Sequence, residues 1–393
     1  MADLRSFLAV LVGALAVGCA ETSSSPEVAD DALVANARPI ANEDFADPLD
    51  RMFIRGTQTS LSDASFASKW DASRESAVIF MRSYPAAYHE DLVQLNPRHV
   101  IGEEGLCFGD AHPDNFGFIH IGNRTKFVFN DLDDSGHCPV ALDAARYFAV
   151  LRLYFDDPSL TKDVLGQYVD TVGDLGRASE IDEDLLPDWS KVASKELEEN
   201  VRDGKLVLGG EVSAPSAAER GAVRDVVAGD ARIAGRAVLD IASVARAAGG
   251  SAGLRRYRVL VTDKAGAQTI LELKEASTPG VDSGRQATKL GFDERLPVLK
   301  NALWSTTAQN DYFYVKVLGS RFLVRDRLAK KSVKLANLDK DQRKRVLRAQ
   351  ASVMARLHAP RWKNVKMDAL RSWLDDSSKV LAERWTLAQS TKR

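Results

Sequence analysis

The sequence predicts an α+β fold in two lobes. A mostly helical part covers residues 46–238, a β-rich part covers 239–330, and C-terminal helices over 331–393 return to pack on the first. Three observations carry this. Apolar residues recur at helical spacing in AARYFAVLRLYFDD at 144–157 and in DKDQRKRVLRAQASVMARLHAPR at 339–361. Near residue 240 the pattern changes to short runs of β-branched and apolar residues broken by Gly and Asp turns. Between them, residues 107–143 read as strand, loop, strand, with Asp110, Asn115, Asp131 and Asp133 gathered at one end.

A chain of 393 residues, 45% of them hydrophobic, can bury a large core. Fifty-three basic residues against fifty-five acidic ones leave a net charge of −2, so no global field argues for nucleic acid or an anionic membrane surface. Any anion site must be local.

The first residues carry a separate signal. Leu4-Arg5-Ser6 leads into FLAVLVGALAVG and then Cys19, an apolar run too short to span a bilayer and followed by small and polar residues. It resembles a bacterial lipoprotein signal over residues 1–19, with Cys19 as the lipidated residue and a flexible tether over 20–45. An ordinary secretory signal or a chance apolar start is the alternative. On the lipoprotein reading the folded part works outside the cytoplasm, held to a membrane by its lipid anchor only.

After the tether, DPLDRMFIRGTQTSLSDASFASKW mixes aromatic residues with Arg51 and Arg55; Arg55 is either a brace for a site or a surface residue. Ala86–Leu95 reads as a short helix. GLCFG at 105–109 is an apolar run ending in Gly, DAHPDN a polar loop, and KFVFNDLDD at 126–134 a strand ending in carboxylates. Cys107 and Cys138 flank this stretch, as a disulfide or as two small buried thiols. Asp143 stands where it can cap the following helix or brace the loop.

Residues 159–235 read as further helices, with Gly204, Gly209, Gly210 and Pro215 marking a loop. Arg255–Thr262 and Thr269–Glu275 are two strands joined by a turn. A cluster of Gly249, Gly250, Ser251 and Gly253 precedes them and Lys274 ends the second. Residues 284–304 read as a helix, and Tyr312–Val317 pairs with Arg321–Arg325 across Gly319-Ser320.

These residue types at these spacings suit phosphoryl transfer. A carboxylate at Asp110 can take a hydroxyl proton while the amide of Asn115, five residues on, and Asp131 hold Mg²⁺; Asp133 is a further ligand of lower rank. His112 orders the loop or shares in proton transfer. Glycines let phosphates approach backbone N–H groups, and a Lys one strand later can pair with them. ATP and Mg²⁺ are the cofactors this chemistry requires.

Gly109-Asp110, His112 and Asn115, then Asp131, Asp133 and Asp143, resemble the motif of aminoglycoside and choline phosphotransferases, which are protein-kinase-like. Phe108 stands where that motif has His. More closely, MFIRG at 52–56, FGDAHPDNFG at 108–117, NDLDD at 130–134, GSAGLRRYRVLV at 250–261 and LELKEAS at 271–277 resemble the uncharacterised bacterial family known as domain of unknown function 2252. That resemblance covers roughly residues 45–390. In kinase-like enzymes the glycine loop and lysine strand precede the catalytic loop; here they follow it. The resemblance therefore implies a circularly permuted bilobal fold, acting on a hydroxyl acceptor that it does not identify. A metal-dependent phosphoesterase and a non-catalytic, membrane-tethered binding module of kinase-like fold are the alternatives.

Overall fold

The computed structural model describes residues 37–391, apart from 97–99, 101, 102, 234, 284–289, 306–311 and 363. Cys19, the expected signal and most of the tether lie outside the described residues. The described chain enters along its own last helix: Trp373 Nε1 donates to Arg38 O at 3.1 Å, and Ile40 N donates to Ser377 Oγ at 3.0 Å. Among the described residues no helix is long and apolar enough to cross a membrane.

Three short helices come first, α1 (Arg51–Thr57), α2 (Asp63–Ser73) and α3 (Ala77–Ser83). Each starts at a polar cap: Asp50 accepts from Phe53 N, Ser62 from Ser65 N and Ser76 from Ile79 N. Helix α4 (Pro85–Asp91) begins with Pro, whose missing N–H is not needed in a first turn. Strand β1 (Glu104–Cys107) pairs antiparallel with β4 (Gly136–Pro139), and Cys107 and Cys138 are joined as a disulfide across that pair. The thiol alternative is thereby set aside.

Between those strands the chain does more than loop and return. FGFIHI forms β2 (Phe116–Ile121) and turns at Gly122, φ +62°, into β3 (Arg124–Phe129). Strand β2 is not signalled by the sequence, because its polar residue comes only at His120 and the run does not alternate. β13 (Lys330–Ser332) completes this sheet in the order β13-β2-β3.

Helix α5 (Val140–Tyr154) is buried from Val140 through Leu151. It packs with α6 (Pro158–Gly173) and α11 (Met367–Ser390), and α10 (Lys340–His358) meets it through Gln350 on Tyr147 and His358 on Asp143. The same hydrophobic cluster takes in α1–α4 and the β2–β3 hairpin.

A six-stranded antiparallel sheet forms the other part, in the order β11-β12-β10-β9-β8-β7. Its strands are β7 (Val212–Ser213), β8 (Ala237–Val244), β9 (Arg256–Thr262), β10 (Gln268–Glu275), β11 (Tyr312–Val317) and β12 (Ser320–Asp326). Alternation gives it two unlike faces. Tyr257, Val259, Leu271, Leu273, Phe322 and Val324 pack with Val223 and Val227 of α8 (Ala217–Gly229). Arg256, Glu272, Lys274 and Arg325 stand on the opposite face, also buried or nearly so. The sheet lobe thus reaches back before the expected boundary at residue 239, because β7 pairs with β8 and the apolar stripe of α8 needs the sheet to cover it. A second helix, α7 (Trp189–Asn200), lies on the charged face beside β10, where Arg327 pairs with Glu196 at 2.5 Å, and it leads into the hairpin of β5 (Val201–Arg202) and β6 (Lys205–Leu206). Of the expected 284–304 helix, 284–289 lie outside the described residues; among the rest, α9 covers Phe292–Leu299, followed by a wider π turn over Lys300–Trp304 that ends at Ser305 with φ +51°.

The disulfide closes a sequence separation of 31 residues. Replacing both cysteines by Ala should lower stability by about 3–4 kcal/mol, read as a fall in urea midpoint without reductant.

Candidate functional site

The loop after β1 is held by its backbone. Asp143, in the first turn of α5 and fully buried, accepts from Phe108 N at 2.7 Å and Gly109 N at 2.9 Å. His358, from the far end of α10, reaches the same carboxylate with Nε2 at 3.2 Å and is oriented by Tyr168 Oη at 2.9 Å from Nδ1. His358 so supplies a contact to Asp143 that Phe108 cannot make; Phe108 packs against Phe129 instead, with ring centroids 4.4 Å apart. Ser135 donates to Phe108 O, and His89 Nε2 lies 2.8 Å from Gly109 O. Gly109 has φ +76°, and a Cβ there would collide with the Asp134 carbonyl, so no other residue fits.

Asp110 follows at once. Its Oδ1 accepts from Arg146 Nη2 at 2.6 Å, its Oδ2 lies 3.4 Å from His112 Nε2, and Asn115 Nδ2 donates to its carbonyl at 3.1 Å and reaches Oδ2 at 3.4 Å. Burial pushes the Asp110 carboxyl up, but His112 and Arg146 more than offset this and hold it below the usual carboxylate range. Burial, with the Arg82 guanidinium, pushes the His112 imidazole down. His112 Nδ1 is buried without a partner among the described residues. Using the amide nitrogen of Asn115 on Asp110 leaves its amide oxygen as the atom offered to a cation.

Arg146 was not singled out from the sequence. Its signal was there: Asp143 and Arg146 stand three apart, on one face, in the otherwise apolar run VALDAARYFAVL.

The second half of the site hangs from the end of β3. Asn130 N donates to Asn115 O at 2.9 Å, which ties the two ends of the hairpin together and sets Asp131 beside the loop. Asp131 Oδ2 lies 3.4 Å from Lys274 Nζ and its Oδ1 2.9 Å from Arg325 Nη1, while Asp133 Oδ2 lies 2.6 Å from Lys274 Nζ. Glu272, two residues before Lys274 on the same face of β10, bridges Arg256 and Arg325 from the neighbouring strands. Against the cost of burial, Lys274 and Arg325 hold Asp131 well below its ordinary value. Burial and the charge of Asp131 push Asp133 up. Lys274, opposed by burial, is raised by the same two aspartates.

The glycine cluster lies across the same cleft. Gly249 and Gly253 adopt φ of +96° and +81°, Gly249 N donates to Ser83 Oγ, and Arg256 Nη2 donates to Ser251 Oγ at 2.6 Å. Gly250, Ser251, Asp133, Asp134, Gln58 and Lys69 line one pocket. Arg55 is not at the carboxylates. It pairs with Asp63 at 2.8 Å and donates to Gln58 O and Leu61 O, which shapes the segment after α1 that walls this pocket. Sequence reasoning also missed Lys69, Asp134, Glu272 and Arg325; the last two are visible only once strand register places them beside Lys274.

The donors fit a hard cation: Asn115, Asp131 and Asp133 offer amide and carboxylate oxygen, as Mg²⁺ requires. The one cluster of close ligand atoms among the described residues is Cys107, Cys138 and Asp143, whose sulfurs are joined to each other and whose carboxylate is taken by two N–H groups.

Residues 63–172 and 224–391 match the family described as "Uncharacterized protein conserved in bacteria (DUF2252)", more than half of the chain. The chain belongs to this family. No curated protein and no solved structure matches it. In this DUF2252 member the matched segments contain the loop, both acidic positions, Lys274 and His358, while α7 and the β-hairpin after it fall in the unmatched interval.

Arg146→Met should destabilise the protein by about 3–5 kcal/mol at pH 7, since it leaves Asp110 buried without its cation. Because Asp110 titrates below its unfolded value, its contribution is present above about pH 4 and lost on acidification. The gap between variant and wild type should therefore narrow as pH falls below about 4 in denaturant titrations.

Proposed function

We propose that this chain is an ATP- and Mg²⁺-dependent phosphotransferase of kinase-like, circularly permuted fold, acting on a hydroxyl acceptor. One observation carries the reading. Lys274, from the sheet that follows the loop in sequence, sets its ammonium between Asp131 and Asp133, on the acidic strand end that adjoins Asp110 and Asn115. A phosphate-pairing lysine, two metal-type carboxylates and an Asp-x-x-x-x-Asn loop thus share one cleft.

In this reading Asp110 accepts the proton of the acceptor hydroxyl as its oxygen attacks the terminal phosphorus and ADP leaves. Arg146 fixes that carboxylate in place and keeps it ionised. His112 orients the loop. Asn115, Asp131 and Asp133 would hold Mg²⁺, which when bound with the nucleotide offsets charge on its phosphates. Lys274 pairs with the phosphates, and the turn at Gly249, Gly250, Ser251 and Gly253 offers them backbone N–H groups. Extracytoplasmic placement on a lipid at Cys19 belongs to the same proposal, and the Cys107–Cys138 disulfide supports it, since such bonds persist in oxidising compartments.

A non-catalytic binding module is the second reading, favoured by one observation: Asp110 is already held by Arg146 at 2.6 Å. A metal-dependent phosphoesterase would need histidines to hold its metals, and His358 does not serve, being buried against Asp143 and Tyr168.

ATP with Mg²⁺ should raise the melting temperature of the wild type, and Asp131→Ala should abolish the shift. Asp110→Asn should keep the shift and lower phosphoryl transfer, or ATP turnover in the absence of an acceptor, on the order of a hundredfold or more. No shift with any nucleotide would reject the phosphotransferase; a shift without turnover in wild type would favour the module.

A further inference from the structure

Lys69 is a cation of the cleft that neither the sequence nor the mechanism above uses. It lies in α2, in the run SFASKWDAS, where Phe66 and Trp70 go into the core and carry Lys69 with them, leaving it 2% exposed. Its ammonium donates to Gln58 Oε1 at 2.9 Å and to Gly250 O at 2.7 Å, and stands 5.1 Å from the Tyr84 ring centroid. All of these partners are neutral. Lys274 holds Asp131 and Asp133, Arg325 holds Asp131, Arg146 holds Asp110 and Arg82 holds Asp114, but no carboxylate lies within ion-pair distance of Lys69 among the described residues.

A lysine is rarely this buried without an anion, because desolvating the ammonium carries a penalty that neutral acceptors recover only in part. Burial accordingly pushes Lys69 down to about 7, with Asp134 and Asp110 pulling partly back. The pocket it lines has Lys69 as its one cation among the described residues, with hydroxyls from Thr57, Ser251 and Thr278 around it. Position adds to this. Lys69 bonds the glycine turn and lines one pocket with Asp133 and Asp134, so it stands beside both the segment assigned to the phosphate chain and the acidic strand end assigned to the metal.

We propose that Lys69 contacts the terminal phosphate of the nucleotide donor, exchanging the Gly250 carbonyl for a phosphate oxygen as the donor enters. This deepens the phosphotransferase reading and rests on it. The competing role is a purely structural clip between Gln58 and the glycine turn, and the two roles predict different losses.

The first test uses wild-type full-length protein and ATP acylated on its terminal phosphate. The amine nearest that phosphate attacks the acyl carbon, forming an amide and releasing ATP, with the amine proton passing to buffer. Peptide mapping should find the amide on Lys69 and excess ATP should suppress it; its absence from Lys69 overturns the proposal. The second test compares ATP and ADP affinities in wild type and Lys69→Met. Loss of a charged contact to the terminal phosphate should weaken ATP roughly tenfold or more and leave ADP unchanged. Equal losses for both nucleotides would mark Lys69 as a clip and overturn the assignment. A wild type that binds neither nucleotide overturns the phosphotransferase reading itself, an outcome distinct from either loss pattern.

Discussion

Two carboxylates from the end of one strand close on a single ammonium from another sheet, and the architecture around them serves that meeting. Asp131 and Asp133 are carried by the β2–β3 hairpin of the helical lobe, Lys274 by the sheet. Neither side could be buried alone, since an isolated charge in a low-dielectric interior costs far more than any local contact returns. Arg325 and Glu272 extend the balance across β12 and β10, so the charged face of the sheet is neutralised strand by strand. The apolar face beneath it, packed on α8, fixes the register that makes this possible. Joining the two lobes is therefore an electrostatic matter as much as a hydrophobic one.

The loop that bears Asp110 is positioned differently, by backbone hydrogen bonds to a buried side chain. Asp143 holds two successive N–H groups, which fixes where the chain turns at Gly109 and hence where the next residue points. His358 arrives from more than two hundred residues later to complete that arrangement. Helix α10 is thus part of the site's support, although none of its residues lines the pocket at Lys69 and Asp133.

The sequence was informative where periodicity or spacing was strong. The buried helix after Asp143, the long helix ending at His358, the strands around the Asp263–Gly266 turn and the family itself were all legible, as was the α+β class. It was silent where a residue's meaning depends on its neighbours across the fold. Lys69 reads as a surface lysine until Phe66 and Trp70 take it inward, and Arg325 as an ordinary strand residue until register sets it opposite Glu272. The hairpin strand β2 was lost because burial on both faces erases alternation. The short helices α1–α3 announce themselves only by their caps at Asp50, Ser62 and Ser76.

The disulfide divides the site in a way the static picture conceals. It ties β1 to β4, the two strands that bracket the loop and the acidic strand end, so Asp110, Asn115, Asp131 and Asp133 all lie inside one covalent ring. Lys274 lies outside it, on a sheet held only by non-covalent forces. Fluctuations that open a protein piecemeal begin where restraint is weakest. The ring limits how far the aspartates can separate in such an opening, whereas no covalent cross-link restrains Lys274.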